Sequence, residues 1–218
     1  MGTASENNDA GAFSERFRSD FETLLKLRRD VRHFKSDPIP ETVMDALLDT
    51  FHYAPSVGLS EPWRIVHIHS DTARQAALTN YKAANAAALE TYRDDKAALY
   101  AKLKLSGMQD APVQIAVFCD EATVKGQKLG AMTMPEMRRY SVVAAITQFW
   151  LAARAVGLGV GWVSILDPDQ LKSDLAIEDS WALVAYLCIG WPEEHATTPE
   201  LARMGWEDRR TRLISEVR

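Results

Sequence analysis

The segment from about Glu136 to Val156 constrains the fold most strongly, because it predicts a helix that is apolar on nearly every face. Its central part, residues 140–153, carries no charged residue. This uncharged part is shorter than the roughly 20 residues that a membrane span requires. A helix without a polar face has to be covered all round. We therefore expect either the central helix of a core or a helix at a dimer interface.

The rest of the chain predicts strands and further helices around this segment. The sequence Pro38-Ile39-Pro40 starts a second helix, which runs to about Ala54, and the Ala-rich and charge-rich residues 71–104 predict a third helical region. Four apolar segments predict strands, at residues 63–69, 113–118, 160–166 and 182–189. Strands that alternate with helices without a βαβ repeat favour an α+β fold or a three-layer sandwich.

The domain limits follow from composition. Residues 1–15 are small and polar, which predicts a disordered tail, and no linker or repeat divides residues 16–218, which predict a single domain. The tail has no apolar region of a secretory signal, and Glu6 stands where a myristoylation signal needs Ser or Thr.

Charge and cysteine usage limit the class of protein. A net charge of −5, from 25 basic and 30 acidic residues, argues against a general nucleic-acid binder. Cys119 and Cys188 lie in separate apolar segments without a Cys-x-x-Cys motif, so we expect buried free thiols in a reducing compartment. These features favour a cytoplasmic protein.

A basic run, residues 28–34 (Arg-Arg-Asp-Val-Arg-His-Phe), is the first candidate for chemistry. It follows an apolar stripe at helical spacing and is expected to close that helix. Three guanidinium groups so close together suit a phosphate or another polyanion, whereas Asp30 opposes such a site. A solvated helix end is the alternative interpretation.

Two loops are further candidates. Residues 54–63 are rich in Pro, Ser and Gly, so that Gly58 would allow a ligand to approach the backbone and Ser56 and Ser60 would donate hydrogen bonds. An ordinary helix-to-strand connection is the alternative. The second loop, Gly157-Leu-Gly-Val-Gly161, leads from a helix into a strand, which is the reverse of the order in a dinucleotide-binding motif. We therefore expect Gly157 to cap the helix and the other two glycines to allow close strand packing.

Other polar clusters are weaker candidates. His67 and His69 share one face of a predicted strand, but two ligands do not make a metal site, and we expect no metal. Three arginines between Trp206 and Arg212 lie in a C-terminal tail that either folds back over the body or is solvated. The sequence contains no recognisable serine or cysteine nucleophile motif.

Taken in order, these motifs resemble the flavin-binding nitroreductase family. The resemblance runs from about Phe21 to Arg212. It implies a three-layer α/β/α sandwich with a central mixed, mainly antiparallel sheet, and a homodimer with FMN at the subunit interface. The residues that it assigns to FMN binding are Arg28, Arg29, Val31, Arg32, Pro55, Ser56, Gly58, Ser60, Gly161 and either Arg209 or Arg210.

The resemblance is closer to one branch of that family. Residues 28–34, 54–58, 133–136, 140–143 and 161–168 look like those of enzymes that consume reduced FMN and oxygen. This implies fragmentation of FMNH2 to 5,6-dimethylbenzimidazole, the lower ligand of cobalamin, and D-erythrose 4-phosphate. A separate NAD(P)H flavin reductase would then supply the FMNH2. Leu59 and Glu61 depart from the residues usual in the family, Asn and Gln.

The residues give this resemblance a chemical basis. Breaking a ribityl carbon–carbon bond requires proton transfers beside the ring, and Asp30, which its arginine neighbours are expected to hold ionised, is the candidate base. Ser164 would hydrogen-bond the flavin or its oxygen adduct, or else face a neighbouring strand. Residues 71–107 are either a helical lid that excludes water or a plain surface arm.

Two other functions remain open at this stage. One is an NAD(P)H-dependent nitroreductase or flavin reductase in which FMN cycles intact. The other is a flavin-binding protein without catalytic activity. Asp30 argues for the fragmenting enzyme, because conventional members of the family usually carry Ser or Thr at that position.

Overall fold

A computed structural model describes residues 11–101, 103 and 106–218. Its eight α-helices are α1 (Glu15–Leu27), α2 (Glu41–Leu48), α3 (Asp71–Thr91), α4 (Asp94–Tyr100), α5 (Gly107–Asp110), α6 (Met137–Ala155), α7 (Pro168–Asp174) and α8 (Glu200–Arg203). Short 3-10 helices cover Asp49–Tyr53, Val57–Leu59 and Lys125–Lys128. The expected tail lies largely outside the described residues, and α1 begins at Glu15, just inside it.

The sheet contains the four predicted strands. They are β1 (Trp63–His67), β2 (Val113–Asp120), β3 (Gly159–Val163) and β4 (Trp181–Gly190), in the spatial order β1-β2-β4-β3. All three pairings between these strands are antiparallel. The parallel component of the sheet is an isolated bridge between Asp30 and Val160. This bridge attaches the basic run to the edge strand β3.

Helices cover both faces of the sheet, which gives the predicted three layers. On one face, Leu47, Phe51 and Phe149 from the α2 and α6 side pack against β2 and β4. On the other face, Ala77 of α3 and Leu171 of α7 belong to a second buried cluster with the sheet. Each face of the sheet therefore has its own apolar core, and truncating a fully buried side chain such as Phe149 to Ala would cost about 3–5 kcal/mol.

Helix α6 is the central helix that the apolar segment predicted. Its inward residues Val142, Ile146 and Phe149 are completely buried. At its C-terminus the N–H of Gly157 donates to Arg154 O and the N–H of Leu158 donates to Ala153 O, with Gly157 at φ +88°. These two bonds form a Schellman motif, so the predicted cap at Gly157 is confirmed.

The sequence predicted the end of α1 correctly but not the contact that follows it. Helix α1 ends at Leu27 with the extended Arg28 as its C-cap, so the basic run follows the helix as expected. The Val31 N–H then donates to Val160 O of β3 at 3.0 Å, a pairing that the sequence did not indicate. The predicted helical region after residue 71 contains α3 and α4, which are separated by the extended Tyr92. No helix in the described ranges is long and apolar enough to cross a membrane.

Candidate functional site

Strand β3 positions Asp30, and its glycines make this possible. A Cβ atom at Gly161 would lie 2.2 Å from the Val31 carbonyl oxygen, and one at Gly159 would lie 2.8 Å from Val31 Cγ2. Only glycine therefore allows the basic run to lie this close to the strand, as predicted. At this distance the Trp162 N–H donates to Asp30 Oδ1 at 2.9 Å. The carboxylate is thus fixed by a backbone hydrogen bond from the strand.

The charge environment of Asp30 differs from the expectation. Arg32 Nε lies 3.7 Å from Asp30 Oδ2, and the Arg32 side chain is only 13% exposed. Even so, desolvation raises the pKa of Asp30, and it outweighs the Trp162 N–H and the charges of Arg32 and Arg28, which lower it. Arg32 and Arg28 therefore favour the ionised form, as expected, but burial has the larger effect on the pKa, and the sequence did not indicate that burial. A raised pKa makes Asp30 a stronger base.

A cavity of about 140 Å³ adjoins this carboxylate and is rich in arginine. Its lining consists of Arg28, Arg29, Asp30, Arg32, Pro199, Glu200, Leu201 and Arg209. The Arg28 guanidinium lies over the Trp150 ring of α6, 4.5 Å from its centroid, while Trp150 Nε1 donates to Arg29 O at 3.2 Å. One tryptophan of α6 therefore contacts both Arg28 and Arg29.

Arg29 carries a buried hydrogen-bond donor that has no partner among the described residues. Its Nη1 donates to Arg28 O at 2.6 Å and its Nη2 donates to Thr197 O, but its buried Nε has no partner within the described part of the chain. Burial is the main cause that lowers the pKa of Arg29, and the charges of Arg209, Arg28 and Arg154 lower it further. An anion would relieve this crowding, so the cluster fits a phosphate.

The sequence did not indicate every residue at this cavity. Pro199, Glu200 and Leu201 belong to the start of α8, and Glu200 is a second carboxylate whose charge helps to raise the Asp30 pKa. Helix α8 has only four residues, which are too few to show a helical period in the sequence. Neither the helix nor its position could therefore be predicted. Trp150 was assigned to the apolar core helix, without its contact to Arg28.

The C-terminal end of the candidate lid is hydrogen-bonded to the basic run. The Gly107 N–H donates to Arg32 O at 3.0 Å, and Ser106 Oγ lies 3.1 Å from His33 Nδ1. Within α3, the buried Asn80 exchanges two hydrogen bonds with the Asp167 backbone, at 2.8 and 2.9 Å. The segment is therefore anchored beside the arginine cavity. Whether it moves as a lid stays a prediction.

The Pro55–Ser60 loop lies elsewhere on the same chain. The Val57 N–H donates to Ser141 Oγ near the start of α6, and Ser56 Oγ accepts from the Glu61 N–H. Because Ser141 and Trp150 are nine residues apart on α6, the loop and the arginines are separated by about 14 Å along the helix axis. One chain does not bring these two predicted parts of the site together.

The other predicted residues of that loop are held by local contacts. Gly58 has φ +57°, and a Cβ there would lie 2.9 Å from Gly126 O, so the loop packs tightly on residues 125–129. Ser60 is buried, and its hydroxyl has no partner among the described residues. The Glu61 carboxylate pairs with Lys125. Pro55 is exposed.

The remaining residues that the sequence singled out lie at several separate places in the fold. Ser164 is exposed and lies one residue beyond β3. Arg209 and Arg210 are both exposed, but only Arg209 belongs to the lining of the arginine cavity. Cys119 and Cys188 are buried free thiols, as expected. His69 lies beyond the end of β1, and no group of three or more potential metal ligands occurs in the described ranges.

Comparison with known proteins identifies the family. The model of the nitroreductase family matches residues 25–191, a range that includes the basic run, the Pro55–Ser60 loop and β3. The chain belongs to the nitroreductase family. Arg209 and α8 lie beyond the matched range, so the family match covers the Asp30 side of the arginine cavity but not its C-terminal side.

Two relatives are similar to this chain over most of their length and of its length. The chain is 52% identical to 5,6-dimethylbenzimidazole synthase from Rhodospirillum rubrum, over 91% of the chain and 94% of that protein. It is 44% identical to 5,6-dimethylbenzimidazole synthase from Rhodobacter capsulatus, over 90% of the chain and 95% of that protein. These relatives are enzymes. The resemblance to this branch of the nitroreductase family is therefore confirmed.

Solved structures support the fold. Iodotyrosine deiodinase bound to FMN and 3-iodo-L-tyrosine aligns with a TM-score of 0.69 at 19% identity, over 91% of this chain and 97% of that one. A nitroreductase from Exiguobacterium sibiricum in complex with FMN aligns with a TM-score of 0.63 at 18% identity, over 81% and 90%. The nitroreductase-like α+β fold is confirmed.

Proposed function

We propose that this protein fragments reduced FMN with oxygen, forming 5,6-dimethylbenzimidazole and D-erythrose 4-phosphate, and so supplies the lower ligand of cobalamin. The observation that carries the proposal is the Asp30 carboxylate, which borders an arginine-lined cavity in a chain that is 52% identical to a 5,6-dimethylbenzimidazole synthase. A site that only binds phosphate does not explain a carboxylate at this position. A role in proton transfer does explain it.

The arginine cavity supports FMN as the substrate. Its four guanidinium groups suit the phosphate, and the partnerless Nε of Arg29 offers a donor for it. In this proposal Arg28, Arg29, Arg32 and Arg209 hold the phosphate and the ribityl chain, while Val31 and Gly161 border the ring. Bound FMNH2 supplies the electrons for oxygen, and the protein supplies position, charge and protons.

Asp30 is proposed as the acid/base group of the reaction. The Trp162 N–H occupies its Oδ1, so that Oδ2 is the oxygen left to exchange a proton beside Arg32. Its raised pKa favours uptake of a proton from the substrate and its later return. Ser164 is proposed to donate a hydrogen bond close by, since it is exposed just beyond β3, two residues from Trp162.

A homodimer would complete the site, and an uncovered face of α6 supports it. Tyr140, Val143, Thr147 and Ala155 are exposed at helical spacing along α6, and the first two expose 54% and 38% of their surface. In a two-fold dimer with antiparallel α6 helices, the start of one α6 would lie near the end of its partner. Pro55, Ser56, Gly58 and Ser60 of one chain would then approach the arginines of the other.

A cytoplasmic location and a separate NAD(P)H flavin reductase complete the proposal. The two buried thiols fit a reducing compartment, where reduced flavin is also formed. Residues 71–107 would close over the bound flavin and exclude water, since Gly107 is anchored to Arg32 of the basic run and Asn80 of α3 is anchored to Asp167.

The experiment is to supply the purified protein with chemically reduced FMN, to admit air, and to identify the products by mass spectrometry. We expect dimethylbenzimidazole and erythrose 4-phosphate. Intact FMN in every run would contradict the proposal. Rapid NAD(P)H oxidation with a nitroaromatic acceptor would instead support a conventional nitroreductase, and binding of FMN without either reaction would indicate a flavin-binding protein.

A further inference from the structure

Trp206 is a residue that the proposed function leaves without a role, although its surroundings are specific. Its ring meets Tyr92 edge-on with centroids 5.4 Å apart and lies 6.2 Å from the Tyr100 ring. Lys96 Nζ lies 4.7 Å from the centroid of the same ring and also donates to Trp206 O at 3.1 Å. The C-terminal segment is therefore fastened to α4 and the end of α3 at one point.

The partners of Trp206 are themselves ordered by the hairpin of α3 and α4. Tyr92 and Tyr100 stack with centroids 4.9 Å apart, and the Tyr100 hydroxyl donates to Asn85 Oδ1 at 2.8 Å. Tyr100 is buried, whereas Lys96 is exposed. Aromatic pairs of this geometry contribute beyond the area that they bury. The hairpin thus presents a formed aromatic surface, and Trp206 packs on it.

The chain on either side of Trp206 belongs to the arginine cavity. Before it, Glu200 and Leu201 of α8 line the cavity, and after it Arg209 lines the same cavity. A Schellman motif turns the chain between them: the Gly205 N–H donates to Ala202 O, and the Trp206 N–H donates to Leu201 O at 2.8 Å. Trp206 is thus the point at which the segment leaves the cavity, contacts the hairpin and returns.

We propose that Trp206 is a positioning residue for phosphate recognition, which couples the docked hairpin to the placement of Arg209. When Trp206 packs between Tyr92, Tyr100 and Lys96, the path of the next three residues directs the Arg209 guanidinium towards Arg28 and Arg29. Without this contact Arg209 belongs to an exposed tail, and its charge is solvated away from the cavity. The inference rests on the proposed function, because it takes the FMN phosphate as the ligand of the arginines.

The test compares the binding of FMN with that of riboflavin, which lacks the phosphate, by fluorescence titration of the full-length protein. A hydrogen-bonded Arg–phosphate contact corresponds to roughly 10- to 100-fold in affinity. Trp206→Ala should weaken FMN binding by about this factor and leave riboflavin binding unchanged. Trp206→Ala combined with Arg209→Ala should bind FMN no more weakly than Arg209→Ala alone. Trp206→Phe should restore most of the affinity.

Trp181→Ala is the matched control, because Trp181 also has a cationic neighbour, Arg64, but lies at the far end of β4 from the residues that pair with β3. It should bind FMN as the wild type does. The inference is overturned if Trp206→Ala binds FMN like the wild type, if it loses FMN and riboflavin affinity equally, or if its effect adds to that of Arg209→Ala.

The two proposals fail in different ways. A wild-type protein that fragments FMNH2, with a Trp206→Ala variant that binds FMN normally, refutes the coupling and leaves the proposed function intact. A wild-type protein that binds FMN more tightly than riboflavin, but returns FMN intact, refutes the proposed function alone. Absence of any preference for FMN in the wild type refutes both.

Discussion

Asp30 is held in a half-buried position by one hydrogen bond from β3 and by one nearby guanidinium. The Trp162 N–H fixes its orientation, while Arg32 remains 3.7 Å away and only partly offsets the loss of water. Its pKa is raised as a result. A carboxylate in this condition accepts a proton more readily than an exposed aspartate, which is the property that an acid/base role requires.

Replacing Asp30 with Asn should abolish fragmentation while leaving FMN binding largely intact. The amide oxygen still accepts the Trp162 N–H, but it cannot act as a base, and positioned acid/base groups contribute about 10²–10⁴-fold in rate. Product analysis and FMN titration of Asp30→Asn measure both effects. Asp37→Asn, which removes the same charge at an exposed position, is the control. An Asp30→Asn variant that still forms dimethylbenzimidazole at the wild-type rate would refute the assigned role.

The raised pKa of Asp30 also predicts a pH dependence of stability. The folded protein retains the Asp30 proton to a higher pH than the unfolded chain, for which the ordinary pKa is 3.8. The contribution of this group to the free energy of unfolding is therefore complete below that pH and is lost as the pH rises through the folded pKa. Asp30→Asn should gain stability relative to the wild type as the pH rises through this window. Denaturant unfolding of both proteins across that pH range measures their free energies of unfolding. The prediction is contradicted if the stability of Asp30→Asn relative to the wild type falls as the pH rises.

The site depends on strand β3, because the basic run packs directly against the backbone of this strand. Its glycines make contacts of different kinds with Val31. The contact at Gly161 involves the Val31 carbonyl oxygen, whereas the contacts at Gly159 involve the Val31 side chain. The two positions therefore separate an effect of backbone placement from one of side-chain packing.

Alanine at either glycine should destabilise the protein by about 1–3 kcal/mol through overpacking. Adding Val31→Ala should rescue Gly159→Ala in large part, because the two methyl groups are removed and only the Cβ contact at 3.0 Å remains. It should not rescue Gly161→Ala, because the carbonyl oxygen remains. Denaturant unfolding measures the four variants. Equal rescue of both would show that the basic run does not lie on β3 as described.

At the element level the sequence predicted more than it did at the site. The four strands, the buried helix α6 and the cap at Gly157 follow from periodicity and from residue types that act locally. The attachment of the basic run to β3 did not follow, because it depends on a hydrogen bond from Val31 to Val160, far along the chain. The burial of Asp30 did not follow for a similar reason: the neighbouring arginines, which lower its pKa, are visible in the sequence, whereas the desolvation that outweighs them arises only in the folded chain.

At the scale of the whole molecule, the arginine cavity and the Pro55–Ser60 loop lie at different points along α6. Proteins with the same fold bind FMN, as the iodotyrosine deiodinase and Exiguobacterium structures do. The proposed dimer would bring the two parts together across a shared α6 face, which would explain why a single chain leaves Val143 and Tyr140 exposed.

An arginine at Val143 should therefore prevent dimerisation and weaken FMN binding. The side chain is already 38% exposed in the single chain, so the charge costs the folded protomer little, whereas a dimer would have to bury it. Analytical ultracentrifugation measures the oligomeric state. Ser173→Arg, which adds the same charge to an exposed position of α7, should remain dimeric. A dimeric Val143→Arg variant with normal FMN affinity would place the interface elsewhere.

The central claim is that FMN is consumed as a substrate and not recycled as a cofactor. The most direct measurement is the stoichiometry of a single aerobic reaction of the wild-type protein with FMNH2, in which remaining flavin and dimethylbenzimidazole are quantified together by mass spectrometry. We expect one dimethylbenzimidazole to form for each FMN that is lost. Full recovery of FMN after complete reoxidation, with no dimethylbenzimidazole, would contradict it.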